Sequence, residues 1–230
     1  MSRPIANAFE YHDHELRGEA APVITTVPLL FSGLALVSWI QDWEFVGFRW
    51  WAWLGLTAPA LVLALDLWLG PRGFGFARTR SAGLVLLGML IVGNLVGLLV
   101  LVTVLITARS TDLDGLQLLL PAGAIWVSNV VVFGMCFWEL DGGGPTHRPR
   151  GSQPPDFQFP QQKTSGVAPD GWRPRIWDYL YTSLSTATAF SATDTMPLTL
   201  RAKALMGIEA VLCLVLVTLV TARAVNVLGA

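Results

Sequence analysis

Long apolar runs alternate with short polar ones along this chain. The apolar runs fall at about residues 23–41, 46–70, 81–108, 116–138 and 201–228. A membrane-crossing helix needs roughly 20 apolar residues, and each of the five runs is about that long or longer. A sixth segment, 176–188, reads Ile-Trp-Asp-Tyr-Leu-Tyr-Thr-Ser-Leu-Ser-Thr-Ala-Thr. It has helical character but spans only roughly 20 Å at 1.5 Å per residue, too little to cross. A short half-buried helix, then a polar loop, then a long apolar run is the pattern of a segment that enters the membrane and returns. Irregular backbone at that depth persists only where protein buries it or water lines it. The pattern predicts an all-α integral membrane protein with five transmembrane helices plus one short re-entrant helix.

The polar stretches refine this picture. Residues 1–22 read as a mobile polar tail, and the first span after it is the shortest and contains Pro28. His12-Asp13-His14-Glu15 lacks a further ligand cluster and reads as solvated side chains, so no metal site is called for. Arg49, Trp50, Trp51 and Trp53 open the second span as interface anchors. Asp66, near its other end, reads as a snorkelled or paired end residue. The Gly/Arg-rich stretch 70–80 lacks the Lys-Ser/Thr of a phosphate loop and reads as a tight connection. Gly93-Asn94-x-x-Gly97 allows close helix approach, with Asn94 placed to bond across the contact. Residues 139–173 are too rich in Pro, Gly and Gln for lipid, and Phe157 and Phe159 are placed to pin them to the protein. Pro174 suits a helix start, and Asp178 meets the positive end of its dipole.

Composition narrows the function. The chain is 53% hydrophobic and 13% charged, against roughly 25% charged in soluble domains. The net charge of −1 gives no reason to expect a nucleic-acid partner. Cys136 and Cys213 both lie in apolar runs and read as packing residues. No nucleophile–base pair, metal cluster or nucleotide motif stands out, so neither an enzyme nor a cofactor is expected. The polar start lacks the basic-then-apolar order of a signal peptide. Insertion through the chain's own helices into a plasma membrane, in contact with lipid, is the expectation.

The stretch Thr186-Ala187-Thr188-Ala189-Phe190-Ser191-Ala192-Thr193-Asp194-Thr195-Met196-Pro197 resembles the selectivity-filter loop of potassium channels, T-x-T-T-V-G-Y-G-D-x-x-P, aligned without a gap. Thr186, Thr188, Asp194 and Pro197 match. The resemblance extends over the C-terminal half and implies a division of the chain: tail 1–22, three N-terminal helices in 23–110, and a pore module in 111–230. Within that module it implies an outer helix 116–138, a turret-like loop 139–173, a pore helix 174–188, a filter-like loop 189–197 and an inner helix 201–228. It implies that Tyr181 braces the filter, that Ser185 lies behind it with Thr186 and Pro197 in support, and that Asp194 is the filter-end acid. It also implies a homotetramer, since one loop cannot enclose an axial pore, and monovalent cations as the permeating species.

The departures from that family are specific. Its filter uses backbone carbonyls in place of the ion's hydration shell, and glycine supplies the unusual backbone angles at no steric cost. Here Ser191-Ala192-Thr193 stands in place of Gly-Tyr-Gly, and Ala189 replaces a threonine. The four-site filter is therefore not expected. Either the loop is wider and lined by hydroxyls from Thr188, Ser191 and Thr193, or Phe190 plugs it. On the inner helix, Cys213 lies near the place of the family's hinge glycine. Thr218, Thr221 and Asn226 fit a hydrated vestibule or ordinary helix packing. Glu209, an acid inside an apolar run, attracts cations or, preferably, pairs with Arg201 or Lys203. The resulting expectation is a cation channel with a non-standard filter and weak or altered selectivity. The alternative is a nonconducting scaffold or sensor that keeps the fold. Of the fifteen basic residues, all but Arg49, Arg109 and Arg223 fall on the side of the tail, the 70–80 loop and the filter end. The positive-inside rule therefore places the filter end in the cytoplasm, inverted relative to potassium channels. No span carries the repeated arginines of a voltage sensor.

Overall fold

The computed structural model describes residues 3–44, 49–69, 80–107, 115–145, 148, 153–163, 166, 169, 171–188 and 194–228, with side chains throughout except at 3–17, 56, 80, 105–107, 115, 223, 224 and 226–228. The elements are α1 (Arg3–Ile40), α2 (Trp50–Leu69), α3 (Arg80–Thr107), α4 (Gly115–Leu140), β1 (Phe157–Gln158), α5 (Pro160–Lys163), α6 (Ile176–Thr188), β2 (Met196–Pro197) and α7 (Leu200–Leu228). A 3₁₀ turn at Asp141–Gly143 follows α4. Among the described residues, five helices are long and apolar enough to cross a membrane: Gly18–Ile40, Trp50–Leu69, Ser81–Val104, Leu116–Gly143 and Leu200–Ala222.

One expectation is corrected at the start of the chain. The stretch assigned to a mobile tail is helical from Arg3, continuous with the first span, which begins at Gly18. Pro22 and Pro28 both lie inside this helix. The apolar content simply starts earlier than residue 23: Ala20 and Ala21 are buried. Thr25 and Thr26 donate back to the carbonyls of Ala21 and Val23, each at 2.7 Å, so their hydroxyls are satisfied on the helix itself. The side chains of His12-Asp13-His14-Glu15 lie outside the described residues.

α1 and α2 form an antiparallel pair, and Trp68 Nε1 donates to Thr25 Oγ1 at 3.0 Å across it. At the opposite end, Arg49 meets Asp42 at 3.0 Å and Glu44 at 3.4 Å. Asp66 is buried and engaged by a neighbour; it does not snorkel, because its position one turn inside α2 faces the bundle. α3 joins α4 through a polar contact inside the bundle. Asn94 Nδ2 donates to Asn129 Oδ1, and Ser128 Oγ donates to Asn94 Oδ1, both at 3.0 Å. Unsatisfied polar groups are costly in lipid, and here Asn94 is engaged both as donor and as acceptor.

α4 is the central element. It packs against α1, α3, α6 and α7, and 72% of its span is buried, against 17% of the α7 span. Gly134 makes the α4–α6 approach possible: a Cβ there would sit 2.8 Å from Leu180 Cδ2 and 3.2 Å from Leu180 Cα. The inward stripe of α7 follows helical spacing through Ala202, Glu209, Cys213 and Leu216, all buried.

Candidate functional site: the returning hairpin and its polar clamp

α6 goes into the bundle, and residues 194–198 lie back on the side from which it starts. The helix starts beside the end of α4, where Tyr179 Oη donates to Asp141 Oδ2 at 2.5 Å. One turn further, Ser183 Oγ lies 2.8 Å from the carbonyl of Val130. Val130 is ten residues before Leu140, about 15 Å down α4. Near the end of α6, Ala187 packs with Val130, Trp126 and Cys213. The chain then climbs back: Thr182 Oγ1 bonds Thr195 Oγ1 at 3.2 Å, and β2 pairs antiparallel with β1, Phe157 opposite Pro197 and Gln158 opposite Met196.

The helix start explains its own position. Asp178 Oδ2 accepts from the backbone N–H of Arg175 at 2.7 Å, and Asp178 N–H donates to the carbonyl of Arg175 at 3.0 Å. This is the carboxylate half of a capping box, directly after Pro174. Within the helix, Thr182, Ser185 and Thr186 donate back to the carbonyls four residues earlier at 2.8–2.9 Å. The hydroxyl-rich sequence therefore stays helical without demanding external partners.

Two buried aspartates clamp the mouth of this hairpin. Asp141 Oδ1 accepts from the backbone N–H of Asp156 at 2.6 Å and of Phe157 at 3.1 Å. Arg148 donates to the carbonyls of Asp141 and Trp138, at 3.2 and 2.5 Å. Its guanidinium sits 3.4 Å from Asp141 Oδ2 and 5.0 Å from the centre of the Tyr179 ring. Asp156 accepts from Gly142 N–H at 3.3 Å, Thr199 Oγ1 at 2.5 Å and both arms of Arg201 at 2.6 Å. Burial raises the Asp156 carboxyl, but the Arg201 and Thr199 bonds outweigh it and hold it below its ordinary range. Burial likewise lifts the Tyr179 hydroxyl well above its usual value, with Arg148 opposing and Asp141 adding to the rise.

An aromatic layer lies under the clamp. Phe157 packs 5.1 Å from Phe137, centre to centre, and edge-on to Tyr179 at 6.2 Å. Phe159 meets Tyr179 at 5.1 Å and Trp172 at 6.0 Å. Phe157 and Phe159 are almost fully buried, each contributing about 1.5–3 kcal/mol by removal from water. They seat the 139–173 loop on the bundle.

The sequence-derived site residues distribute as follows. Ala189, Phe190, Ser191, Ala192 and Thr193 lie outside the described residues. Thr188 is exposed at the end of α6 and donates to Ser185 O at 3.1 Å. Asp194 is exposed, Thr186 and Ser185 are half-buried, and Pro197 sits in the β1–β2 pair. Tyr181 is 60% exposed on the outward face of α6, and the buried aromatic of that helix is Tyr179. The pairing expected for Glu209 is corrected: Arg201 is taken by Asp156, two turns away, and Glu209 meets Ser183 of α6 instead. Glu209 and Cys213 are buried inside the helix bundle, whereas Thr218 and Thr221 are exposed. Nine residues separate Glu209 from Thr218, about half a turn around the helix, so the four do not share one face. The side chain of Asn226 lies outside the described residues.

Sequence reading missed Asp141, Arg148, Asp156, Tyr179 and Ser183. One local signal existed. Gly142, Gly143 and Gly144 all have positive φ, at 58°, 89° and 93°, which marks the turn that brings Asp141 under the loop. No protein-family model matches the chain, and no curated protein or solved structure matches it either.

Proposed function

We propose that the chain is a potassium-channel-like, homotetrameric membrane protein that passes monovalent cations through a non-standard filter, with weak or altered selectivity. The observation that carries this reading is the returning hairpin. α6 descends about halfway along α4, its last residues lie among Val130, Trp126 and Cys213, and the chain comes back to a clamp on the side from which it left. A helix C-terminus carries roughly half a negative charge. At mid-depth that end favours a cation, and the hydroxyls of Thr188, Ser191 and Thr193 follow directly after it. The lightly covered outward face of α7, with Gly207, Thr218 and Thr221 exposed on it, supports packing against further copies around an axis.

The orientation proposed with this reading puts the filter end in the cytoplasm, from the distribution of Lys and Arg. The second reading, a nonconducting scaffold or sensor, draws on Phe190 and on the missing glycines at Ser191 and Thr193. Ion flux through purified protein in liposomes separates the two. Potassium, sodium and a larger cation are compared, with native protein and a Phe190→Ala variant. Flux that the variant alters supports a pore. Silence from a folded tetramer, across voltage and pH, leaves the scaffold reading.

A further inference from the structure

We propose that Glu209 is a proton-binding site inside the membrane: its carboxyl group is held neutral and donates a hydrogen bond to Ser183, whose hydroxyl in turn donates one to the Val130 carbonyl. The balance of hydrogen-bond donors and acceptors around Ser183 carries it, independently of the channel reading. Ser183 Oγ lies within hydrogen-bonding distance of two acceptors, the Val130 carbonyl at 2.8 Å and Glu209 Oε1. A serine hydroxyl carries one proton. With Glu209 ionised, three oxygens share that proton, and one contact is a bare repulsion between lone pairs. With a proton on Glu209, both contacts become hydrogen bonds: Glu209 to Ser183 Oγ, and Ser183 to Val130 O.

The second Glu209 oxygen points the same way. Oε2 is buried and has no hydrogen-bond partner among the described residues. As the carbonyl oxygen of a neutral acid this is tolerable; as half of a carboxylate it leaves a charge both unpaired and dehydrated. No cation relieves it from the packed helices. α7 has no other charged residue between Lys203 and Arg223, α6 has none between Tyr179 and Thr188, α4 none between Gln117 and Trp138, and α3 none after Arg80. Among the described residues, the titratable groups facing Glu209 are the thiols of Cys136 on α4 and Cys213 on α7, neither of which supplies positive charge. The arrangement thus accommodates a proton rather than a metal ion. Its place is specific, since Ser183 sits on the helix that leads directly into 189–193.

Infrared spectroscopy of the full chain in lipid vesicles at neutral pH tests this. The expected spectrum contains a neutral-carboxyl C=O band at the high-frequency end, because Oε2 accepts no bond. The band disappears in Glu209→Gln, which keeps a donor toward Ser183, and shifts in Ser183→Ala, where the acid loses its acceptor. Absence of such a band, or a band that survives Glu209→Gln, overturns the proposal. Should Glu209→Gln fail to fold, Ser183→Ala decides alone, and a band unmoved by it counts against the site.

Discussion

Arg201 holds Asp156 at two points: Nε lies 2.6 Å from Oδ1 and Nη2 lies 2.6 Å from Oδ2. This pair joins the first turn of α7 to the loop 45 residues earlier. Asp156 is buried whereas Arg201 is half-exposed, so the cost of breaking the pair falls mostly on the carboxylate side. Asp156→Ala leaves Gly142 N–H and Thr199 without their acceptor and is expected to cost about 2–3 kcal/mol. Thermal unfolding in detergent measures it. The double change with Arg201→Ala is expected to cost less than the two single changes together, because they share one interaction.

The same pair sets an acid limit. The Asp156 carboxyl is held below its ordinary value of 3.8. A depressed carboxyl contributes stability that is complete above the unfolded-state value and is lost as pH falls through the folded-state one. The protein is therefore expected to lose stability progressively below about pH 4. In Asp156→Asn that acid-dependent part of the curve flattens. An acid limb unchanged in the variant would place the effect on another carboxylate.

Gly134 offers a steric test of the hairpin's seat. A methyl group there collides with Leu180, 2.8 Å from Cδ2 and 3.2 Å from Cα. Gly134→Ala is expected to destabilise by about 1–3 kcal/mol through displacement of α6. Gly134→Ala combined with Leu180→Ala removes the Cδ2 clash and recovers part of the loss. A larger penalty is expected at Gly144, where φ is +93° and a Cβ would lie 2.9 Å from the Glu139 carbonyl oxygen.

Under the channel reading, the residues that depart from the potassium-channel pattern define the selectivity. Ser191→Gly with Thr193→Gly restores the two conformationally free positions. The expected outcome in liposomes is a rise in potassium over sodium flux relative to the native chain. Potassium flux seen only in the double variant would identify the native loop as the block, in favour of the scaffold reading.

A fusion at the C-terminus checks the proposed orientation. A reporter active only in the cytoplasm is expected to stay silent there and to report when placed in the 70–80 connection.

The membrane architecture was legible because apolar run length is a one-dimensional property: Trp50–Leu69 and Leu200–Leu228 differ from their sequence-based bounds by a few residues. α6 was legible for a different reason, since Pro174 and Asp178 mark its start within four residues of each other. The clamp was not legible. Its bonded pairs Asp141–Asp156, Asp141–Tyr179 and Asp156–Arg201 lie 15, 38 and 45 residues apart, and nothing local in a polar, proline-rich loop says which acid turns inward. The partner of Glu209 was misread for a related reason: Arg201 and Lys203 are near in sequence, whereas Ser183, 26 residues away, is near in space. Likewise Ala20-Ala21-Pro22 looked like the edge of a tail, because two prolines within seven residues obscured a helix that runs through both.

The clamp also bears on how such a chain can change over generations. Every residue that closes the mouth of the hairpin, from Asp141 and Arg148 to Asp156, Tyr179 and Arg201, stands outside 189–193. Substitutions at 189–193 therefore leave the closing bonds untouched, and selection for a folded protein does not by itself police that loop. A lineage built on this frame is free to exchange what the loop does, or to lose it, while inheriting the same scaffold.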